Sequence, residues 1–342
     1  MWDLTLPLAG ASQAPRIDSF APAVITAGPS PLTVTVSGSN FMARSAVRWN
    51  GLDRPAAFVS ATTLRFTLSA EDLARSGRNT LLVFNPVAGG GLSNAMNVPV
   101  GPAPGATTNG ITSAADAASP RPLVPGSIAS LLGSNLASDT VSAGAPPLPY
   151  TLGGVTIEIN GWPATMFYVS PTQINFQVPW ELEGHGSATL TILNGTLSSS
   201  LQVSIGFAAP ALFTTDGSGK GQGAVTIAGP EVLAAPGGAF PGSRPARRGE
   251  FLQIYGTGFG PVSRIQSDGQ PKSPATLAIS RTPEVTIGGV PANVQFAGLT
   301  AGGVGLYQIN VQVPAGAPAG AAVPVVVTLS RAASNPVTVA VE

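Results

Sequence analysis

The sequence contains no cysteine and only one histidine, His185. No disulfide framework and no thiolate metal site can be built from it, and zinc or copper would have to rest on carboxylates, which suit them poorly. The lack of cysteine does not exclude export, because large β modules bury enough surface without staples. Charge is scarce as well, at 9% of the residues against roughly 25% in ordinary globular proteins. The 16 basic and 16 acidic residues cancel, so no net field collects phosphates. No Lys/Arg-rich run of the kind nucleic-acid tracts need is present, and nucleic acid is not an expected partner. No stretch approaches the roughly 18 uninterrupted apolar residues of a spanning helix, so no membrane span is expected. The opening Met1-Trp2-Asp3-Leu4 also lacks the basic n-region and apolar core of a signal peptide.

What is plentiful is glycine (42) and proline (33), which makes turns frequent and long helices rare. At about 100 to 150 residues per domain, 342 residues imply two or three domains. Internal repeats decide for three. Gln173-Ile174-Asn175-Phe176-Gln177-Val178-Pro179 returns as Gln308-Ile309-Asn310-Val311-Gln312-Val313-Pro314. Upstream, Asn160-Gly161-Trp162-Pro163-Ala164 corresponds to Gly288-Gly289-Val290-Pro291-Ala292, and the run Ile128 to Leu136 corresponds to Leu252 to Phe259. A more diverged copy holds Gly38-Ser39-Asn40-Phe41, Trp49-Asn50-Gly51 and Thr63-Leu64-Arg65-Phe66, with Asn50 as far from Leu64 as Asn160 is from Ile174. Each copy ends in a small-polar turn before alternating residues: Ser93-Asn94, Ser199-Ser200 and Ser334-Asn335.

Within a copy the runs are short, rich in Val, Ile, Thr and Phe, and alternate with period two. Ile174, Phe176 and Val178 share one face, Gln173, Asn175 and Gln177 the other. Asn-Gly and Gly-Gly pairs between runs supply the positive φ of tight hairpins. The expectation is an all-β chain of three tandem immunoglobulin-like β-sandwich modules, with one short helix at 69–75. The boundaries read as an N-terminal strand extension (1–13), a first module (14–101), a linker (102–108), a second module (109–206) and a third (207–342) that opens with a long hairpin and loop. Modules two and three, with almost no spacer, are expected to pack as one rigid body.

These motifs carry a resemblance. Residues 14–101 resemble an IPT/TIG domain, through Pro15-Arg16-Ile17-Asp18-Ser19-Phe20-Ala21-Pro22, the turn at Gly38, Trp49-Asn50-Gly51 and Gly90-Gly91-Leu92-Ser93-Asn94. Residues 109–342 resemble the uncharacterised C-terminal domain family of predicted secreted proteins from Solibacter-type soil bacteria. The residues concerned are Pro125-Gly126-Ser127-Ile128, Tyr168-Val169-Ser170-Pro171-Thr172-Gln173, Tyr255-Gly256-Thr257-Gly258 and Leu306-Tyr307-Gln308. The resemblance implies an immunoglobulin-like fold and an extracellular or cell-surface location, with a chain numbered from a processed or recloned form. It implies no chemistry.

No constellation for catalysis stands out. His185 in Glu183-Gly184-His185-Gly186 has no Gly-x-Ser-x-Gly elbow to accompany it and reads as a turn residue. The glycine-rich run 217–223 does not fit a phosphate-loop frame, because Lys220 is not followed by Ser or Thr. Asp139, Asp216 and Asp268 lie in turn-rich segments without the spacing of a calcium loop, and Glu158, Glu181 and Glu183 read as ordinary surface charges rather than a catalytic pair. The expectation is therefore no enzyme, no cofactor and no metal.

Two binding readings follow. Trp2, Leu4, Leu6 and Leu8 share one face of an extended segment that needs a sheet to join, either its own module's or that of another copy by strand exchange. The latter makes the chain a self-assembling structural or adhesive surface protein, its partner itself or another surface protein. Alternatively, Trp49, Trp162, Tyr168 and Trp180 would be exposed platforms for a polysaccharide, helped by the Gln-Ile-Asn-x-Gln amide ladders, in an array of carbohydrate-binding modules. Packing within the core is the competing role for those aromatics and amides.

Overall fold

Each module starts from the same local chemistry. In the computed structural model, Asn50 and Gly51 sit at φ 52° and 81°, Asn160 and Gly161 at 52° and 83°, and Gly288 and Gly289 at 63° and 79°. Two successive residues with positive φ make the hairpin turn whose twist matches its strands. The turns join Ala46–Trp49 to Leu52–Arg54, Val155–Ile159 to Trp162–Pro163, and Glu284–Ile287 to Val290–Leu299. The asparagines add a bond of their own: Asn50 Oδ1 accepts from Thr80 N (2.9 Å) and Asn160 Oδ1 from Thr189 N (2.8 Å).

A second device is a close approach of two backbones. A Cβ on Gly38, Gly133 or Gly256 would lie 1.9, 2.2 or 2.5 Å from the carbonyl oxygen of Arg16, Gly105 or Ala211. Only glycine lets the first strand of each module lie there. Just beyond, Asn40, Asn135 and Gly258 take positive φ and turn Phe41, Leu136 and Phe259 into the core, where each is almost fully buried.

The structure describes residues 13–342 except 23–24, 26, 28, 75–76, 87–89, 196, 265 and 272–276. The expected strand-exchange residues Trp2, Leu4, Leu6 and Leu8 lie outside the described residues. The chain divides into two compact units, residues 1–104 with 193–198 and residues 105–192 with 199–342.

In the first unit, one sheet orders Arg16–Ala21, Leu32–Ser39, Thr63–Leu68 and Ala56–Ser60, and a second is built on Ala46–Trp49 and Gly77–Asn85. Between them lie Ile17, Val36, Trp49, Leu64, Phe66, Leu81 and Val98. The α-helix among the described residues, Ala70–Ala74, is closed by a reciprocal capping box. Ser69 Oγ accepts from Asp72 N (3.1 Å), and Asp72 Oδ2 accepts from Ser69 N (3.0 Å).

The second unit holds two sandwiches. The first pairs a six-stranded sheet, running from Asp116–Pro120 through Gly105–Ser113, Ile128–Ser134, Gln173–Gln177 and Thr165–Val169 to Val141–Ser142, with a four-stranded one that includes Val155–Ile159 and Ser187–Asn194. Residues 105–108, read from the sequence as linker, already belong to a strand, with Gly105 opposite Ser134 and Ala106 opposite Gly133. In the last sandwich Val290–Leu299 pairs with Glu284–Ile287 in one layer and with Tyr307–Gln312 in the other, so one strand turns the corner and twelve strands form a continuous network. The segment expected as its opening hairpin and loop is woven in: Val225–Ile227 pairs with Phe251–Thr257, and Gly221–Gln222 runs parallel to Val337–Val341.

The small-polar turns close the modules with a shared clamp. Asn94 Oδ1 accepts from Ile17 N (2.9 Å) and its amide donates to Ile17 O (3.0 Å). Asn335 does the same to Leu212 N (2.8 Å) and O (3.0 Å). Ser93 and Ser334 accept from Val83 N and Val327 N through their hydroxyls. Module two has Ser199-Ser200 at the corresponding place, and the buried Ser199 Oγ has no hydrogen-bond partner.

Candidate functional site

The four aromatic candidates separate sharply. Trp49 and Trp180 are 1% and 2% exposed, which corrects the expectation that they form surface platforms. Trp49 packs on Phe66 with ring centroids 6.3 Å apart. It belongs to an alternating strand whose Val47 and Trp49 face the core, and a large apolar ring gains most by burial there. Trp180 opens a short 3₁₀ turn, Trp180–Leu182, and its indole joins the core of the third module. Tyr168 is half-buried, paired with Ser142. Trp162 alone is an open platform, 47% exposed, because it follows the Asn160-Gly161 turn at the sheet margin.

The amide ladders are consumed internally. Gln173 Nε2 donates to Asn175 Oδ1 (2.8 Å), which also accepts from Ser130 Oγ (2.8 Å); Gln308 Nε2 donates to Asn310 Oδ1 (2.7 Å). Gln177 Oε1 accepts from Gly269 N (2.7 Å), tying module two to a loop of module three. A sugar would have to displace these bonds, so the ladders act as scaffold.

Among the described residues no group of three or more His, Cys, Asp or Glu comes together. Asp216 Oδ1 accepts from Ser218 N (3.0 Å), Ser218 Oγ (2.8 Å) and Thr214 Oγ1 (2.9 Å). These bonds favour its anion and lower its pKa to about 2. One pairing was not legible from the sequence. Asp268, 88 residues from Trp180, accepts from Trp180 N (3.3 Å), which sets it beside Glu181. Burial first, and the Glu181 carboxylate next to it, push its pKa up to about 7.

Within the same unit, module two is held to module three by several kinds of contact. Ile128 N donates to Thr257 Oγ1 (2.9 Å), which donates on to Gly305 O (2.8 Å). Leu148 N donates to Gly269 O (2.9 Å). Arg121 pairs with Asp116 (2.8 Å) and reaches Pro210 O (3.2 Å) and Ala333 O (3.4 Å). At this junction a cleft of about 270 Å³ opens between Pro125, Pro261, Ile205 and Phe207. Glu183 and His185 rim it, and His185 is a turn residue whose N–H donates to Leu182 O (3.1 Å). The Phe207 ring is 44% exposed, and the Arg281 guanidinium carbon sits 4.9 Å from its centroid. An apolar floor with a carboxylate and an imidazole at the rim is the usual composition of a small-ligand site.

No family model matches the chain, and no curated protein matches it. Solved structures do. A Bacteroides ovatus mixed-linkage glucan utilization locus protein, SGBP-B, in complex with a mixed-linkage heptasaccharide, is 12% identical, with 93% of this chain covering 65% of that one at a TM-score of 0.27. The full extracellular region of plexin A4 is 11% identical over 97% of this chain and 25% of its own, at 0.26. The I9–I11 tandem of titin is 10% identical over 93% and 95%, at 0.20. The chain thus spans less than two thirds of the first two. At this similarity each is a likeness of β architecture.

Proposed function

We propose that the chain is a non-catalytic structural and adhesive protein of the extracellular surface, whose copies join through residues 1–13. The observation that supports this reading most is the junction of modules two and three. The Trp180 indole of one module is a core residue of the other, and Gln177 and Thr257 hydrogen-bond across the same pair of modules. Two sandwiches sharing a core residue bend and separate only by exposing it, which suits a part that holds a distance or carries tension. The low charge of the chain is consistent with close packing of copies, where burying charge is costly.

Light scattering and electron microscopy of the full chain, beside a variant carrying Leu4→Asp and Leu6→Asp, test the reading. Concentration-dependent assemblies that the double variant loses are expected. A wild-type chain that stays strictly monomeric and adheres to no cell-surface material overturns it.

A second reading, sugar binding, is favoured by the cleft at Phe207. Its exposed ring offers a stacking face, and Glu183 and His185 offer hydrogen bonds to hydroxyls. Glycan-array binding lost on Phe207→Ala, with Trp162→Ala as the comparison, supports it; an array without any bound glycan removes it.

A further inference from the structure

The sequence repeats bring the three modules into correspondence at the corner where the chain passes from one sheet to the other, and this exposes a difference. Leu52, Trp162 and Val290 follow the equivalent turns, and further on Phe58, Val169 and Ala297 stand opposite the equivalent residues Leu64, Ile174 and Ile309. Each of the three lies on the outermost core strand of its sheet, Ala56–Ser60, Thr165–Val169 and Val290–Leu299.

In modules two and three that edge is covered. Val141–Ser142 lies antiparallel to it in module two, with Val141 opposite Val169 and Ser142 opposite Tyr168. Leu277–Ala278 does so in module three, with Leu277 opposite Leu299, and Ile279 N extends the pairing to Ala297 O (3.0 Å). Both cover strands come from the connection leading to the next strand, residues 135–154 and 258–283. In module one that connection is only residues 40–45, too short to supply a strand. Among the described residues nothing pairs with the outer edge of Ala56–Ser60.

The consequence shows in the side chains. Val169 is 0% and Ala297 8% exposed. Phe58 stands opposite the fully buried Leu64, on the core face of its sheet, and is 42% exposed. Leu52, opposite the buried Trp49, is 60% exposed. An apolar edge strand with free N–H and C=O groups is a template for another strand.

We infer that the edge Ala56–Ser60 receives the segment Trp2 to Leu8 of a second copy, laid antiparallel like the cover strands of the other modules. This rests on the proposed self-association and names the surface that accepts it. In an extended segment Trp2, Leu4, Leu6 and Leu8 turn to one side, the side that covers Phe58. Pro7 falls on the other face, and its missing N–H is tolerated because the added strand becomes the new edge.

Chain length favours a second copy over the same one. Arg16 lies at the Ser60 end of the sheet, separated from the outer edge by the strands Leu32–Ser39 and Thr63–Leu68. An antiparallel segment delivers Leu8 to the Ala56 end. The return to Arg16 then crosses four strand spacings, about 19 Å, and about 14 Å along the strands. That diagonal of roughly 24 Å leaves the following eight residues, with a limit of about 28 Å, almost straight. A second copy imposes no such limit, and a contact between unlike surfaces repeats into an open chain unless its rotation closes.

The absence of cysteine makes the test direct. Full-length Leu4→Cys is mixed with full-length Phe58→Cys under mild oxidation, alongside the double variant in one chain. A mixed disulfide dimer, and loss of assemblies in Phe58→Lys with an unchanged melting temperature, are expected. No mixed dimer, or a disulfide formed only within single chains of the double variant, overturns the inference. Assemblies that survive Phe58→Lys overturn the edge while leaving self-association standing; a monomeric wild type removes both.

Discussion

The six-membered face of the Trp180 indole lies over the bare α-carbon of Gly126: a Cβ built on Gly126 would be 2.1 Å from two of its ring atoms. Gly126 also takes φ +76°, a conformation side chains resist. The contact seats the ring that links modules two and three.

Gly126→Ala is therefore expected to cost about 1–3 kcal/mol through overpacking alone, and Trp180→Ala about 3–5 kcal/mol through the cavity it leaves. Denaturant unfolding of the full chain measures both. If the two modules unfold as one body, the transition stays single and shifts; a second transition appearing in Trp180→Ala reports the junction coming apart.

The asparagine clamps give a matched pair. Asn335 is buried and satisfies both Leu212 backbone groups, with a further bond to Gly219 O (2.7 Å). Asn335→Ala strands these groups and is expected to cost about 2–3 kcal/mol. Asn94→Ala removes a more exposed side chain bonded to the two Ile17 backbone groups and should cost less. Equal losses in thermal unfolding would contradict the account.

Asp268 predicts a pH dependence of the second unit. Its carboxyl is raised from 3.8 to about 7 in the fold, so the folded state holds a proton that the unfolded chain releases. Its contribution is fully present below pH 3.8 and is lost as the pH rises through about 7. Asp268→Asn is expected to flatten the decline between pH 4 and pH 7.5 in melting curves; an unchanged slope would locate the proton elsewhere.

The opposite sign is expected in the first unit. Arg54 grips Asp72 with Nη2 to Oδ1 (2.6 Å) and Nε to Oδ2 (3.1 Å), and the Asp72 pKa falls from 3.8 to about 2, chiefly through that bond. Its stabilisation is present above pH 3.8 and disappears as the pH falls through about 2. Asp72→Asn is expected to weaken the unit at neutral pH and to remove part of its acid sensitivity, followed by urea titration at pH 2 and 7.

Much of this architecture was legible in local chemistry. Asn50-Gly51 and Asn160-Gly161 can only turn one way, and the alternation through Ile174, Phe176 and Val178 declares which face is buried. Ser69 with Asp72 announced the short helix Ala70–Ala74. Trp49 misled because a tryptophan in an alternating strand reads equally as core or platform, and the side of the strand that is buried depends on which sheet faces it. The pairing of Asp268 with Glu181, and the cleft at Phe207, joined residues far apart in sequence and left no local signal.

What the sequence determined alone was the module: its period, its hairpins, the glycines where strands cross, and the poverty of chemistry that excludes familiar catalytic motifs. These follow from φ preferences and two-residue periodicity, which act between neighbours along the chain. Only the tertiary structure decided which edges are covered. Val141–Ser142 and Leu277–Ala278 lie along the edges that hold Val169 and Ala297, residues 40–45 are too short to supply such a strand beside Phe58, and hydrogen bonding between strands is satisfied by whatever the fold brings alongside.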